Sequence, residues 1–303
     1  MQSERLQGYA AALFMVTVWG GWIVLSRRGV TAGLTPYDVA FFRFAVPSLF
    51  LWPVLWRGRA AVLRAGWANL FFLCCGAGAP FILIGVTGMK FAPAAHIGAL
   101  MPGTLPLFVA LITVLFMGER MSRVRVAGFA LIVLGDLAIG GYSALRGADE
   151  AWRGHLLFLT AALMWSGYTL AMRRSGLGPW LGAAVVSIVS FVGFTPVYFL
   201  WLEPRIFAAA PAEIATQIAI QGFGSGLFAL AAYGLAIRRL GASQAAAFVS
   251  LTPAFAALIA IPVLGEIPDL ASSAGVVLVG LGVALASGAF DRTARPVAPV
   301  QES

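Results

Sequence analysis

Long apolar blocks alternate along the chain with short breaks rich in charge, Pro and Gly. The blocks fall at about 7–26, 36–56, 67–89, 92–117, 124–144, 153–172, 179–201, 214–237, 242–264 and 270–290. Each approaches the roughly 20 residues that an α-helix needs to cross a hydrocarbon core of ~30 Å. The pattern predicts an all-α integral membrane protein of ten transmembrane helices with short connections. Alternating ten-residue strands of an outer-membrane barrel are absent. The polar run 291–303 reads as a disordered cytoplasmic tail.

Composition points the same way. Of 303 residues, 60% are hydrophobic and 11% charged, against about 25% charged in soluble domains. That is too little charge to coat a water-facing surface. Cys74 and Cys75 are adjacent within an apolar run, and no C-x-x-C or His/Cys cluster accompanies them. They read as core filler, so neither a metal nor another cofactor is expected.

The net charge of +8 could indicate a nucleic-acid partner, but its distribution indicates topology instead. With both termini on one side, that side collects thirteen basic residues, among them Arg57, Arg59, Arg64, Arg123 and Arg125. The opposite side collects six: Arg27, Arg28, Lys90, Arg146, Arg153 and Arg205. The positive-inside rule then puts both termini in the cytoplasm.

The second half repeats the first. The stretch from Gly8 aligns with that from Gly154, pairing Trp19 with Trp165, Trp22 with Tyr168 and Arg27-Arg28 with Arg173-Arg174. Pro36 and Pro53 then fall on Pro179 and Pro196, Pro106 on Pro253, and Gly118-Glu119 on Gly265-Glu266. Gly128 and Gly135 fall on Gly275 and Gly282. Shared Ala and Leu would match by composition; Trp, Pro and Glu at a nearly constant offset would not. The halves are read as 1–147 and 148–290. Each carries five spans, so the second must insert inverted, an arrangement that recurs in secondary transporters with a midplane site.

The "VWGGW" of the first helix, the "P-x(6)-RF" of Pro36 to Phe44 and the "MGE/LGE" closing helices four and nine resemble the EamA-type members of the drug/metabolite transporter superfamily. So does the "G-x(6)-G" of helices five and ten. The resemblance covers about 8–290 and implies a five-plus-five inverted-topology repeat in a bacterial-type inner membrane. It implies export or exchange of small metabolites; the branch for aromatic and other neutral amino acids is the most similar. One departure is Arg43, whose counterpart in the second half is Val186.

Arg43 stands out among the candidate site residues, because a charge at the centre of a membrane helix costs at least ~2.5–3.5 kcal/mol. It lies about 10 Å into its helix at ~1.5 Å per residue, and Asp38 falls on another face. Two roles remain open. Arg43 snorkels or pins carbonyls such as the one Pro47 frees, or it grips a substrate carboxylate through its two-pronged guanidinium.

Trp19, Trp22, Trp165 and Tyr168 lie deeper than the interfacial belt represented by Trp56, Trp152 and Trp201. They are read either as packing between helices or as a cavity wall, offering apolar area and a π-face for a substrate ammonium. Tyr233 and Gln244 are further substrate-binding candidates, and Gln217 and Gln221 are polar positions that bond across helices or meet substrate. His96 is a candidate for substrate contact or proton coupling, and Asp136, deep in helix five, for proton coupling. Pro102, Pro106 and Pro253 remove helical hydrogen bonds and mark helices four and nine as cavity walls or hinges. "GFGSG" from Gly222 lacks the strand and Lys-Ser/Thr ending of a phosphate loop and reads as close helix packing.

No reacting constellation supports an intramembrane enzyme. The expected partners are a small-molecule substrate and the lipid bilayer. The main reading is a secondary transporter of neutral or aromatic amino acids working by alternating access. The alternatives are a passive channel or facilitator for small polar solutes, or a carrier of nucleosides, sugar phosphates or drugs.

Overall fold

In hydrocarbon a backbone must satisfy its polar groups within itself, and the apolar blocks accordingly fold as helices. A computed structural model describes residues 2–31, 34–88, 91, 100–118, 121–145, 151–264 and 270–286. Among them there is no strand.

The first half contains α1 (Gln2–Thr31), α2 (Pro36–Arg64), α3 (Trp67–Ala77), α4 (Ala79–Gly88), α5 (Leu105–Met117) and α6 (Arg123–Leu145). The second contains α7 (Ala151–Arg174), α8 (Pro179–Trp201), α9 (Pro211–Gln217), a π-helical stretch (Ile218–Ala229), α10 (Leu230–Leu240), α11 (Ala242–Val249), α12 (Thr252–Leu264) and α13 (Leu270–Ala286). Seven helical runs among the described residues are long and apolar enough to cross a membrane. They are Ser3–Ser26, Pro36–Arg64, Trp67–Gly85, Trp152–Arg174, Pro179–Trp201, Pro211–Leu240 and Ala242–Val263. The remaining three predicted spans correspond to α5, α6 and α13, with 92–99 of the fourth outside the described residues.

The packing treats the halves alike. α6 lies against α13, α2 against α8, and α5 against α11. The packing of α3 and α4 on α7 is matched by that of the π-stretch and α10 on α1. The packing of α5 on α7 is matched by that of α12 on α1. Exchanging the halves returns these pairs, except that the counterpart of the α5–α11 pair falls largely outside the described residues. Between α6 and α13 the predicted glycine face allows direct backbone approach. A Cβ on Gly128 would sit 2.5 Å from the Ala286 nitrogen, and one on Gly135 would sit 2.7 Å from the Gly275 carbonyl oxygen.

Several predicted helices are interrupted. Residues 101–104 form turns, so Pro106 enters the first turn of α5, where its missing N–H is not needed. It therefore does not break a running helix, as its position in an unbroken 92–117 implied. The predicted helix 242–264 divides at Ser250–Leu251, and Pro253 sits in the opening turn of α12. The predicted helix 67–89 divides at Gly78, where the Ala79 N–H donates to Ser190 Oγ at 3.1 Å.

Trp56, Trp152 and Trp201 are exposed near helix ends, as a lipid-interface belt requires. Cys74 and Cys75 are free and half-buried.

Candidate functional site

The site begins with how α2 is fixed. Thr35 caps the helix, Pro36 supplies its first turn, and Asp38 closes a capping box with Thr35. The buried Asp38 carboxylate accepts from Thr35 N at 2.6 Å, Thr35 Oγ1 at 2.7 Å, Arg205 N at 3.1 Å and the Tyr198 hydroxyl. These four donors use the carboxylate fully and tie the start of α2 to the far end of α8.

Five residues on, Arg43 is 4% exposed and turns to the opposite half. Its Nη1 donates to Ser225 Oγ in the π-stretch, and its guanidinium carbon lies 5.4 Å from the Trp22 ring centroid. Among the described residues no carboxylate lies within ion-pair distance of it. The π-stretch reaches α2 because glycine leaves room. A Cβ on Gly222 would stand 2.5 Å from Val46 Cβ, and one on Gly226 would stand 2.3 Å from the Arg43 carbonyl oxygen. That carbonyl has no helical donor, since Pro47 occupies the position four residues on. The "GFGSG" stretch is thus a close-packing device, as expected.

A polar ladder continues from this point. Trp22 Nε1 donates to Gln221 Oε1, and Gln221 Nε2 donates to Ser26 Oγ at 2.7 Å and Gln217 Oε1 at 3.0 Å. Gln217 Nε2 donates in turn to Glu213 Oε1 at 2.7 Å. The two glutamines bond across helices to α1 and to each other. Their order holds Trp22 in place with its N–H already occupied.

Arg43, Trp22, Trp19 and Trp165 line one cavity, with about 530 Å³ of atom-free space including its open mouth. Trp19 and Trp165, the repeat-related pair, meet edge to face with centroids 5.2 Å apart and planes at 87°. Trp165 also packs on Phe81 at 4.6 Å and Tyr168 at 5.5 Å. Tyr168 and Tyr233 are buried behind this wall rather than on it, and the Tyr233 hydroxyl pairs with Thr169 Oγ1 at 2.8 Å.

The two helix breaks also contribute to the lining. Pro102, Met101 and Leu105 line the cavity from the first half, and Val249 and Thr252 from the second. The Pro102 carbonyl, in the turn that precedes α5, accepts from Ser250 Oγ at 3.5 Å. The breaks of the two halves therefore touch.

Other expected positions fall elsewhere. Gln244 is half-buried in α11, its Oε1 has no partner among the described residues, and it does not line the cavity. His96, Glu119, Glu266 and the tail lie outside the described residues, as does the Asp136 side chain. Among the described residues no three His, Cys, Asp or Glu side chains gather as metal ligands.

Sequence reasoning missed Ser225, Thr252 and the apolar liners Ile23, Phe81, Ile82, Met101, Leu105 and Val249. The breaks flanked by Pro102 and Pro253 were the available signal for Met101, Leu105, Val249 and Thr252.

Comparison with known proteins bears on family and fold. Curated relatives include the probable terminal-alkyne amino-acid exporter of Streptantibioticus cattleyicolor, 28% identical over 197 residues. That alignment takes in 63% of this chain and 63% of the relative. An uncharacterized transporter of Archaeoglobus fulgidus is 24% identical over 283 residues, covering 88% of this chain and 93% of its own. The uncharacterized transporter YdfC of Bacillus subtilis is 28% identical over 291 residues, covering 92% and 91%. A solved crystal structure shares the fold with a TM-score of 0.75 at 22% identity, over 94% of this chain and 98% of that one. The EamA-like transporter family matches twice, at residues 6–140 and 152–288. Two matched repeats spanning nearly the whole length make this chain a multi-pass membrane transporter of the EamA-like family, within the drug/metabolite transporter superfamily.

Proposed function

We propose that the chain is a secondary carrier that exports or exchanges neutral amino acids, aromatic ones included, by alternating access at the cavity between its two repeats. The observation that carries this reading is the meeting of Trp19 and Trp165, one from each repeat, beside the buried cation Arg43. A wall of rings and aliphatic side chains takes an apolar body, and a guanidinium takes a carboxylate. The name of the Streptantibioticus relative, an amino-acid exporter, supports the same class. A sugar phosphate would need more than one deep positive charge.

The reading includes ten spans, five in each repeat (1–147 and 148–290), with the second repeat inverted. Both termini, and the tail 291–303, lie on the cytoplasmic face of a bacterial-type inner membrane. The half-exchanging set of helix contacts supports the inversion. The interrupted helices beside the cavity are the elements on which such repeats rock, with Pro102, Pro106 and Pro253 at the breaks.

The test is counterflow in proteoliposomes. Liposomes loaded with unlabelled phenylalanine should transiently accumulate external labelled phenylalanine above equilibrium. Equilibration without overshoot would identify a passive channel. Absence of exchange, with activity on nucleosides or sugar phosphates instead, would replace the substrate class.

A further inference from the structure

We propose that the cavity selects its substrate by the carboxylate and does not require the α-ammonium, so that amine-free carboxylates with the same apolar body are carried as well. This rests on the reading of the cavity as the transport site and narrows what that site recognises.

The polar side chains of the lining are all cationic or capable of donating. Arg43 carries a full positive charge and has no carboxylate partner among the described residues. Trp19 Nε1 and Thr252 Oγ1 are buried, line the cavity and have no hydrogen-bond partner among the described residues. A buried indole N–H left unpaired is costly, and it can only donate. The Trp165 N–H lies near the Tyr233 hydroxyl without a hydrogen bond of good geometry, and the Trp22 N–H is taken by Gln221. No acidic side chain lines the cavity among the described residues.

An ammonium finds little in return. The rings expected to receive it already have partners: Arg43 lies over Trp22, while Phe81, Tyr168 and Trp19 pack around Trp165. A neutral acceptor is available where Pro253 cannot bond the Val249 carbonyl. Its partial charge is set beside the positive end of the 13-residue α12, which Thr252 opens. Those partial charges oppose one another, and the whole charge of Arg43 decides the balance. A carboxylate alone neutralises the occupied site. A zwitterion leaves the guanidinium uncompensated in net charge, with a second cation close by.

The experiment is competition in phenylalanine counterflow by phenyllactate, which replaces the ammonium with hydroxyl, and by phenethylamine, which lacks the carboxylate. Phenyllactate should compete at least as well as phenylalanine, while phenethylamine should be at least ~100-fold weaker, a loss of two tenfold steps in affinity. Thr252→Val and Trp19→Phe, assayed as folded protein, should weaken phenylalanine and phenyllactate alike.

Phenylalanine exchange with phenyllactate ~30-fold or more weaker would overturn the inference and leave the amino-acid reading standing. Direct exchange of labelled phenyllactate without phenylalanine would uphold the inference and overturn the amino-acid reading. Exchange of neither would overturn both. If Thr252→Val weakened phenylalanine alone, the hydroxyl would be reading the ammonium, and the inference would fail.

Discussion

The guanidinium of Arg43 donates to the hydroxyl of Ser225, 182 residues away and in the opposite repeat. The bond, with the ring of Trp22 beneath the same guanidinium, aims a buried cation along the cavity wall. Pinning and gripping are thus compatible. The protein orients Arg43 through one nitrogen, and under the proposed function a substrate carboxylate would supply the partner it lacks among the described residues.

If Arg43 grips the substrate, Arg43→Ala should abolish exchange in protein that still folds, and Arg43→Lys should keep only a residue of it, because an ammonium lacks the guanidinium fork. Ser225→Ala should raise the concentration needed for half-maximal exchange by about 10-fold, the order expected for a charge-assisted hydrogen bond of ~1.5 kcal/mol. Counterflow with each purified variant checks this. Normal exchange by folded Arg43→Ala would remove the residue from the site.

Gly226 carries a different burden. Alanine there would place Cβ 2.3 Å from the Arg43 carbonyl oxygen, so Gly226→Ala should destabilise the fold by about 1–3 kcal/mol. Gly193→Ala, in a helix interior with nothing within 4 Å of its Cβ, is the control and should melt no lower than the wild type. Thermal unfolding in detergent compares the two. Equal melting would mean that the π-stretch does not need this approach.

Parts of this arrangement were legible in the chain. Ten apolar blocks and the Trp19–Trp165 correspondence marked the helices and one wall of the cavity, since Trp is rare and bulky enough to show through an Ala/Leu background. Arg43 was legible because charge is expensive in hydrocarbon. Ile23, Phe81 and Met101 were not, because a cavity-facing apolar residue looks like a lipid-facing one. Thr252 has Leu105 as its counterpart in the first half, so the repeat gave no help. Ser225 matters only through a helix from the other half, and nothing local in "GFGSG" announces a partner. Prolines marked the breaks of the fourth and ninth helices. The break at Gly78 carried Gly78 and, two residues on, Pro80 as signs, whereas the π-stretch carried only glycine.

Asp38 is satisfied by four donors outside the cavity lining, so it belongs to folding rather than transport. Asp38→Asn sets an amide N–H₂ against those donors and should cost about 1.5–3 kcal/mol of stability. Tyr198→Phe removes one donor of the four and should cost less. Transport per folded molecule should be unchanged in both. A variant that melts normally and fails to transport would bring Asp38 into the mechanism.

Orientation can be read by thiol labelling in a background lacking Cys74 and Cys75. A cysteine at Ala60, exposed near the Arg-rich end of α2, should resist an impermeant reagent in intact cells and react after permeabilisation. A cysteine at Ala208, exposed in the connection after α8, should react in intact cells. The reverse pattern would overturn the assignment of the cytoplasmic face.

The central claim is that the wall joining the two repeats is the place where substrate binds. Phenylalanine counterflow by Trp165→Ala, set beside that by Trp201→Ala, tests it most directly. Trp165 is buried against Trp19 in the cavity, whereas Trp201 is 73% exposed at the end of α8. Trp165→Ala should weaken exchange about 10-fold or more, since ring contacts of ~1.5 kcal/mol correspond to about one power of ten, while Trp201→Ala stays near wild type. Equal effects of the two substitutions in comparably folded protein would contradict the account.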